Sequence, residues 1–91
     1  MASPQTENGY TRIANELLEH LYHVDLTGTE LRIMLCVIRM TYGWQEKETG
    51  IRQVDIANET GMVKSTISDA MRRLVGKNML QINGVVGINK N

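Results

Sequence analysis

A glycine at position 61 separates two short helical patterns, and this arrangement constrains the fold more than any other feature of the sequence. Residues 53–60 and 64–76 each carry one apolar face, formed by Val54, Ile56 and Ala57 and by Ile67, Ala70, Met71 and Leu74. Glycine adopts the left-handed conformation that a tight turn needs, and the small Ala57 lets two helices cross closely. The spacing predicts a helix-turn-helix.

Two further helices are predicted before this segment. Ile13, Leu17 and Leu21 recur at helical spacing, with Thr11 as the predicted N-cap. Thr27 and Glu30 have the spacing of a capping box, which opens a helix that should end at Tyr42–Gly43. This second helix is apolar around most of its circumference, so we expect it to be central. Its solvated stripe is predicted at Glu30, Arg32, Cys36 and Arg39.

The C-terminal residues have the pattern of a β-hairpin. Asn83-Gly84 separates two β-prone runs, and both positions of such a turn favour positive φ. Ile51-Arg52 is a candidate for a further short strand. The expected fold class is therefore mainly α with a small antiparallel β-hairpin, a winged helix-turn-helix. We expect a disordered N-terminal arm over residues 1–9 and one winged-helix DNA-binding domain over residues 10–91.

Charge is distributed unevenly along the chain although its formal net value is zero. Residues 1–60 hold five basic and nine acidic side chains, a net of −4, whereas residues 61–91 hold five basic and one acidic, a net of +4. The basic C-terminal third is where an anionic partner would bind. The single cysteine excludes an internal disulfide, and no apolar run is long enough for a membrane helix. A cytosolic domain is expected.

The outward face of the second helix of the helix-turn-helix is predicted to bind DNA. It begins with small hydroxyl side chains and ends with guanidinium groups, the pattern of a recognition helix. Ser65, Ser68 and Asp69 would face base edges, and Arg72 would bind guanine or phosphate. The backbone contacts would be Lys64, Thr66, Arg73 and Lys77. The predicted contact residues are Lys64, Ser65, Thr66, Ser68, Asp69, Arg72, Arg73 and Lys77, with Asn83 and Lys90 from the hairpin.

Other chemistries have little support in the sequence. His20 and His23 are three residues apart beside Asp25, but no fourth ligand is evident, so no metal site is predicted. Cys36 is expected to be a small, partly buried apolar residue. The chain has no phosphate-binding glycine loop, nucleophile elbow or paired-carboxylate motif, and predicts no enzymatic activity and no cofactor.

Three strings of residues in the first half of the chain are distinctive: Asn8-Gly9-Tyr10-Thr11-Arg12-Ile13-Ala14-Asn15-Glu16-Leu17-Leu18-Glu19, Leu26-Thr27-Gly28-Thr29-Glu30-Leu31-Arg32-Ile33 and Val37-Ile38-Arg39-Met40-Thr41-Tyr42-Gly43-Trp44. They resemble the N-terminal domain of the bacteriophage replication protein O family, the lambdoid origin-binding initiators. The resemblance covers roughly residues 8–90, including the terminal Gly87-Ile88-Asn89-Lys90.

The resemblance implies a winged-helix domain that binds double-stranded DNA at a phage replication origin in the cytoplasm of the bacterial host. It also implies a homodimer on inverted half-sites. Family members recruit the replicative helicase through a separate C-terminal region, so helicase recruitment is not expected of these residues. Two alternatives remain: a transcriptional repressor of the winged-helix type, and a winged helix that serves only protein–protein docking in a replisome.

Overall fold

The computed structural model describes residues 9–42, 51–82 and 86–88. In chain order the elements are α1 (Asn15–His23), α2 (Gly28–Tyr42), α3 (Gln53–Thr60), α4 (Lys64–Gly76), β1 (Leu80–Ile82) and β2 (Val86–Ile88). The predicted bounds of α2, α3 and α4 are confirmed. The predicted N-cap of α1 is wrong, because the cap is Ala14 and not Thr11.

Helix α2 is the central element, as its apolar composition predicts. It contacts α3, α4 and β2 and buries Ile33, Met34, Val37, Ile38 and Met40. The capping box that opens it is formed: the Thr27 N–H donates to Glu30 Oε1 at 2.8 Å, and the Glu30 N–H donates to Thr27 Oγ1 at 3.2 Å. These bonds satisfy donors that a helix otherwise leaves unpaired at its start.

The α3–turn–α4 unit is built around Gly61, whose φ of 75° lies in the left-handed region. The Gly61 N–H donates to the Ala57 carbonyl at 2.9 Å and ends α3. Helix α4 then buries the four predicted apolar residues, Ile67, Ala70, Met71 and Leu74, against the core. Its opposite side is left facing solvent, which fixes the orientation of the candidate site.

Helix α4 ends in a Schellman motif. The Met79 N–H donates to the Leu74 carbonyl at 2.9 Å and the Asn78 N–H to the Val75 carbonyl at 3.0 Å. Asn78 takes the left-handed conformation of this motif, with a φ of 59°. Met79 and Leu80 follow and are buried, so the chain folds back onto the core immediately after the helix.

The prediction of a winged helix with a β-hairpin wing is wrong, although the helix-turn-helix part of it is present. The part of the chain that the structure describes is a four-helix unit, and it shows no projecting β-hairpin wing. Its extended segments are three residues each: Leu80, Gln81 and Ile82 pair antiparallel with Ile88, Gly87 and Val86, and they lie against α4 and α2. The Asn83-Gly84 signal predicts only a reversal of the chain. Burial of the preceding Met79 and Leu80 holds the first extended segment on the core.

Several predictions fall at the edges of the described residues. The expected strand at Ile51-Arg52 is wrong, since these residues have no strand structure and lead directly into α3. The turn at residues 83–85 lies outside the described residues, as do Gly43 and residues 1–8 of the predicted arm. Among the helices that the structure describes, none is long and apolar enough to cross a membrane.

Candidate nucleic-acid interface

The solvent-facing side of α4 carries most of the residues predicted to bind DNA. Because Ile67, Ala70, Met71 and Leu74 point into the core, the opposite side is left to polar side chains. Exposed on it are Lys64, Ser65, Thr66, Asp69, Arg72 and Arg73, whereas Ser68 and Lys77 are half-buried. The structure therefore brings these eight predicted residues onto one helix surface and its C-terminal end.

The N-terminal end of α4 is open to a ligand. Val63 is its N-cap, in extended conformation and without a side-chain hydrogen bond to the helix, and the first turn has no acidic residue. The positive end of the helix dipole and the free first-turn N–H groups favour an anion at such a position. Val63 itself is 64% exposed, an apolar surface residue that sequence reasoning missed because it lies in the turn and outside any periodic pattern.

Arg72 and Asp69 form an ion pair on the exposed face. Arg72 Nη2 lies 3.7 Å from Asp69 Oδ1, and both side chains are mostly in solvent. An exposed pair with this spacing stabilises a helix by only about 0.3–0.5 kcal/mol. The pair therefore places a hydrogen-bond donor and an acceptor beside each other on the surface. A ligand that separates them costs the helix little stability.

The C-terminal end of α4 is tied to the start of α2 through Glu30. Lys77 Nζ lies 2.9 Å from Glu30 Oε1 and donates to the Asp25 carbonyl at 2.8 Å. Arg73 Nε lies 3.6 Å from Glu30 Oε2. Both cations are predicted to bind the DNA backbone, and in the structure both face a carboxylate of the same chain.

Glu30 is fully buried, with 0% of its surface exposed. Burial opposes its ionisation, but hydrogen bonds from the Thr27 N–H and Lys77, together with the Thr27 side chain and the Lys77 charge, lower the pKa of its carboxyl from 4.5 to about 2. Oε1 accepts bonds from Thr27 and Lys77. Oε2 is buried and has no hydrogen-bond partner among the described residues.

The prediction of Glu30 on a solvated stripe of α2 is wrong. The capping box was recognised, but its carboxylate was assigned to solvent because the pattern of one helix cannot show what packs against its first turn. The available signal was on α4, where Arg73 and Lys77 are four residues apart and so lie on one side of the helix. Two cations on one side of a helix indicate a carboxylate partner as readily as a phosphate.

The remaining predicted residues are less informative. Asn83 and Lys90 lie outside the described residues. His20 and His23 are exposed, and the part of the chain described by the structure contains no group of three side chains that could hold a metal. Cys36 is half-buried with Sγ 3.5 Å from Met40 Sδ, and burial raises the pKa of its thiol.

A short helix, a left-handed turn and a second helix with an exposed basic face define a helix-turn-helix unit. The chain belongs to the Bacteriophage replication protein O family, whose sequence profile matches residues 3–91. No solved structure shows a significant match to the chain.

Three curated relatives support the family. Replication protein 15 of Enterobacteria phage phi80 is 34% identical, covering 90% of this chain and 29% of the relative. DNA replication protein gp18 of Salmonella phage P22 is 39% identical, covering 96% and 32%. Replication protein O of Escherichia phage lambda is 33% identical, covering 93% and 26%. The chain thus spans between about a quarter and a third of the length of these relatives.

Proposed function

We propose that this chain binds double-stranded DNA with sequence specificity at a phage replication origin, with α4 in the major groove. The observation that carries the proposal is the exposed N-terminal part of α4, which joins an uncapped helix start to Lys64, Ser65 and Thr66. Small hydroxyl groups and a cation at the start of a helix suit contact with base edges and phosphates. Membership of a phage replication protein family supports the choice of an origin as the site.

Asp69 and Arg72 are proposed to read bases together. They lie one helical turn apart, with 3.7 Å between their charged atoms. A guanine offers two acceptors to an arginine, and its paired cytosine offers an amino donor to a carboxylate. The adjacent pair therefore fits one G·C base pair or two neighbouring ones. Ser65 and the half-buried Ser68 would face further base edges, with Lys64 and Thr66 on phosphates.

Arg73 and Lys77 take different parts in this proposal. The Arg73 side chain is 50% exposed, which leaves its guanidinium accessible to phosphate while Nε faces Glu30. Lys77 is more buried, and its ammonium already bonds to Glu30 and to the Asp25 carbonyl. We therefore assign Arg73 to the DNA backbone and Lys77 to the anchoring of α4.

A homodimer on inverted half-sites completes the proposal. The cations on the face that one copy offers through α4 are Lys64, Arg72 and Arg73, of which Arg72 also pairs with Asp69. Each neutralised phosphate contributes about −0.9 to the slope of log affinity against log salt. Because one copy offers only these few cations, we expect it to bind DNA weakly by itself. Two copies on adjacent half-sites would double the contacts.

The test is selection of bound fragments from random double-stranded DNA, followed by titration of the selected site at several salt concentrations. We expect one enriched sequence, a steep loss of affinity with salt, and a weaker complex when one half-site is scrambled. The matched control for a variant that removes an arginine of α4 is Arg12→Ala. Arg12 is an exposed arginine before α1, with Cζ 5.8 Å from the centroid of the Tyr10 ring. No enrichment, together with no retention on DNA at low salt, would favour protein docking instead.

A further inference from the structure

We propose that Glu30, a residue that does not reach the surface, positions Arg73 for contact with a DNA phosphate. This inference rests on the proposed function. Its site is the junction between the first turn of α2 and the last turns of α4, where the buried carboxylate faces Arg73 and Lys77. Glu30 acts through Arg73 and is a positioning residue, since it has no exposed surface with which to touch DNA.

The two oxygens of Glu30 are used differently. Oε1 accepts hydrogen bonds from the Thr27 N–H and the Lys77 ammonium, which fixes the carboxylate in place. Oε2 has no hydrogen-bond partner among the described residues and faces Arg73 Nε at 3.6 Å. A buried acceptor without a donor attracts the nearest cation strongly, so the Nε side of the guanidinium is held toward the core.

This arrangement leaves the other side of the guanidinium for a ligand. Arginine has a planar group with donors along two edges, so one edge can face a carboxylate while the terminal amino groups bind a phosphate. Half of the Arg73 side chain is exposed, on the same helix as Lys64 and Arg72. Orientation by a rigid carboxylate lowers the entropy that Arg73 would lose on binding.

Charge alone predicts the opposite effect of removing this carboxylate. Glu30→Gln deletes a negative charge near the basic face, which by electrostatics should strengthen binding to DNA. If Glu30 positions Arg73, the same substitution weakens binding. Glutamine at the third helical position still forms a capping box, so the start of α2 is retained in the variant.

Asp55→Asn is the matched control. Asp55 is the third residue of α3 and accepts a hydrogen bond from the Arg52 N–H at 2.8 Å, as Glu30 does from Thr27. Its ion pair is with Arg52, and the structure shows none with a cation of α4. The control therefore makes the same change of charge and keeps the same kind of cap.

The experiment is a double-mutant cycle between Glu30→Gln and Arg73→Ala, measured by titration of the selected DNA at several salt concentrations. We expect Arg73→Ala to weaken binding about tenfold and to reduce the salt slope by about 1. In the Glu30→Gln background the same substitution should change affinity less than about twofold, since the contact is already lost. Asp55→Asn should bind at least as tightly as the unmodified chain.

Additive effects in the cycle, or tighter binding by Glu30→Gln, would overturn the inference and leave the proposed function standing. Failure of the unmodified chain to bind DNA would overturn both. Arg73→Lys gives a second test at a half-exposed position, in case Glu30→Gln does not fold. We expect it to bind nearly as weakly as Arg73→Ala, because the compact ammonium lacks the two separate donor edges with which a guanidinium can face the buried Oε2 and also reach outward to a phosphate. Unchanged binding by Arg73→Lys would contradict the inference.

Discussion

The two ends of α4 differ in what their cations touch. At the N-terminal end, Lys64 is exposed and no ion pair of it is found in the described part of the chain. At the C-terminal end, Arg73 and Lys77 both face Glu30, and Lys77 also bonds to the Asp25 carbonyl. Lys64 is thus exposed for a ligand and Lys77 joins α4 to α2, whereas Arg73 faces Glu30 and still has half of its side chain in solvent.

This difference shows why net charge is a poor guide to the DNA-binding surface of a small domain. The +4 carried by residues 61–91 counts Arg73 and Lys77 in full, although both lie beside a buried carboxylate. Lys77 holds the C-terminal end of the helix in place, and Lys64 is exposed at the other end. Substitutions of these two lysines should therefore separate stability from DNA binding.

The largest effect is expected from removing the shared carboxylate. Glu30→Ala loses the capping box and leaves two cations without their partner, although both can regain water. We expect the free energy of unfolding to fall by about 3 kcal/mol, measured by urea denaturation followed by circular dichroism. Asp55→Ala, which removes the corresponding cap of α3, should cost about 1 kcal/mol. Equal effects would mean that the contacts of Glu30 with α4 add nothing.

Acid should weaken the same junction. The pKa of Glu30 is about 2 in the folded chain against an ordinary 4.5, so the unfolded chain takes up the proton first. The stability from this group is complete above pH 4.5 and is lost as the pH falls toward 2. The loss is on the order of 2–3 kcal/mol. Urea denaturation from pH 6 to pH 2.5 measures it, and Glu30→Gln should lack this part of the decline.

Two lysines test the ends of α4 directly. Lys77→Met should lower the free energy of unfolding by about 2 kcal/mol, because the buried Glu30 carboxylate then loses its closest cation and keeps only the more distant Arg73. Lys64→Met, at the exposed end, should change it by less than about 0.5 kcal/mol and should weaken DNA binding. Thermal melting and DNA titration of both variants measure the contrast. If Lys64→Met lowers stability as much as Lys77→Met does, the proposed difference between the two ends of α4 is wrong.

The turn before α4 should give a smaller effect. A Cβ at Gly61 would meet nothing within 4 Å, so Gly61→Val is strained only by the backbone φ of 75°. We expect a loss of about 1–2 kcal/mol in the free energy of unfolding. Gly28→Ala is the control, because Gly28 has similar space and no positive φ, and it should be neutral or slightly stabilising. An unchanged melting temperature for Gly61→Val would show that the turn relaxes.

The helices could be predicted because their signals are local. Gly61 and the Thr27–Glu30 capping box fix element boundaries through the residues that flank them, and the structure confirms both. The spacing of Ile67, Ala70, Met71 and Leu74 also fixed which side of α4 is buried. With the buried side known, the exposed residues of α4 followed directly.

Features that depend on distant parts of the chain were missed. Glu30 and Lys77 are 47 residues apart, and nothing in either local pattern indicates that they meet. The predicted β-hairpin wing is wrong for a related reason. The Asn83-Gly84 turn signal carries no information on where the adjoining segments pack, and burial of Met79 and Leu80 places the first of these segments on the core.

The most direct test of the central claim is Arg72→Ala, measured both for DNA affinity and for melting temperature. The Arg72 side chain is 78% exposed, and its ion pair is with Asp69 of the same helix, whose side chain is also mostly in solvent. The account predicts a loss of about 1–3 kcal/mol in binding to the selected site, reduced discrimination at one base pair, and an unchanged melting temperature. Unchanged affinity together with a lowered melting temperature would contradict it, because the exposed face of α4 would then be structural and not the DNA-binding surface.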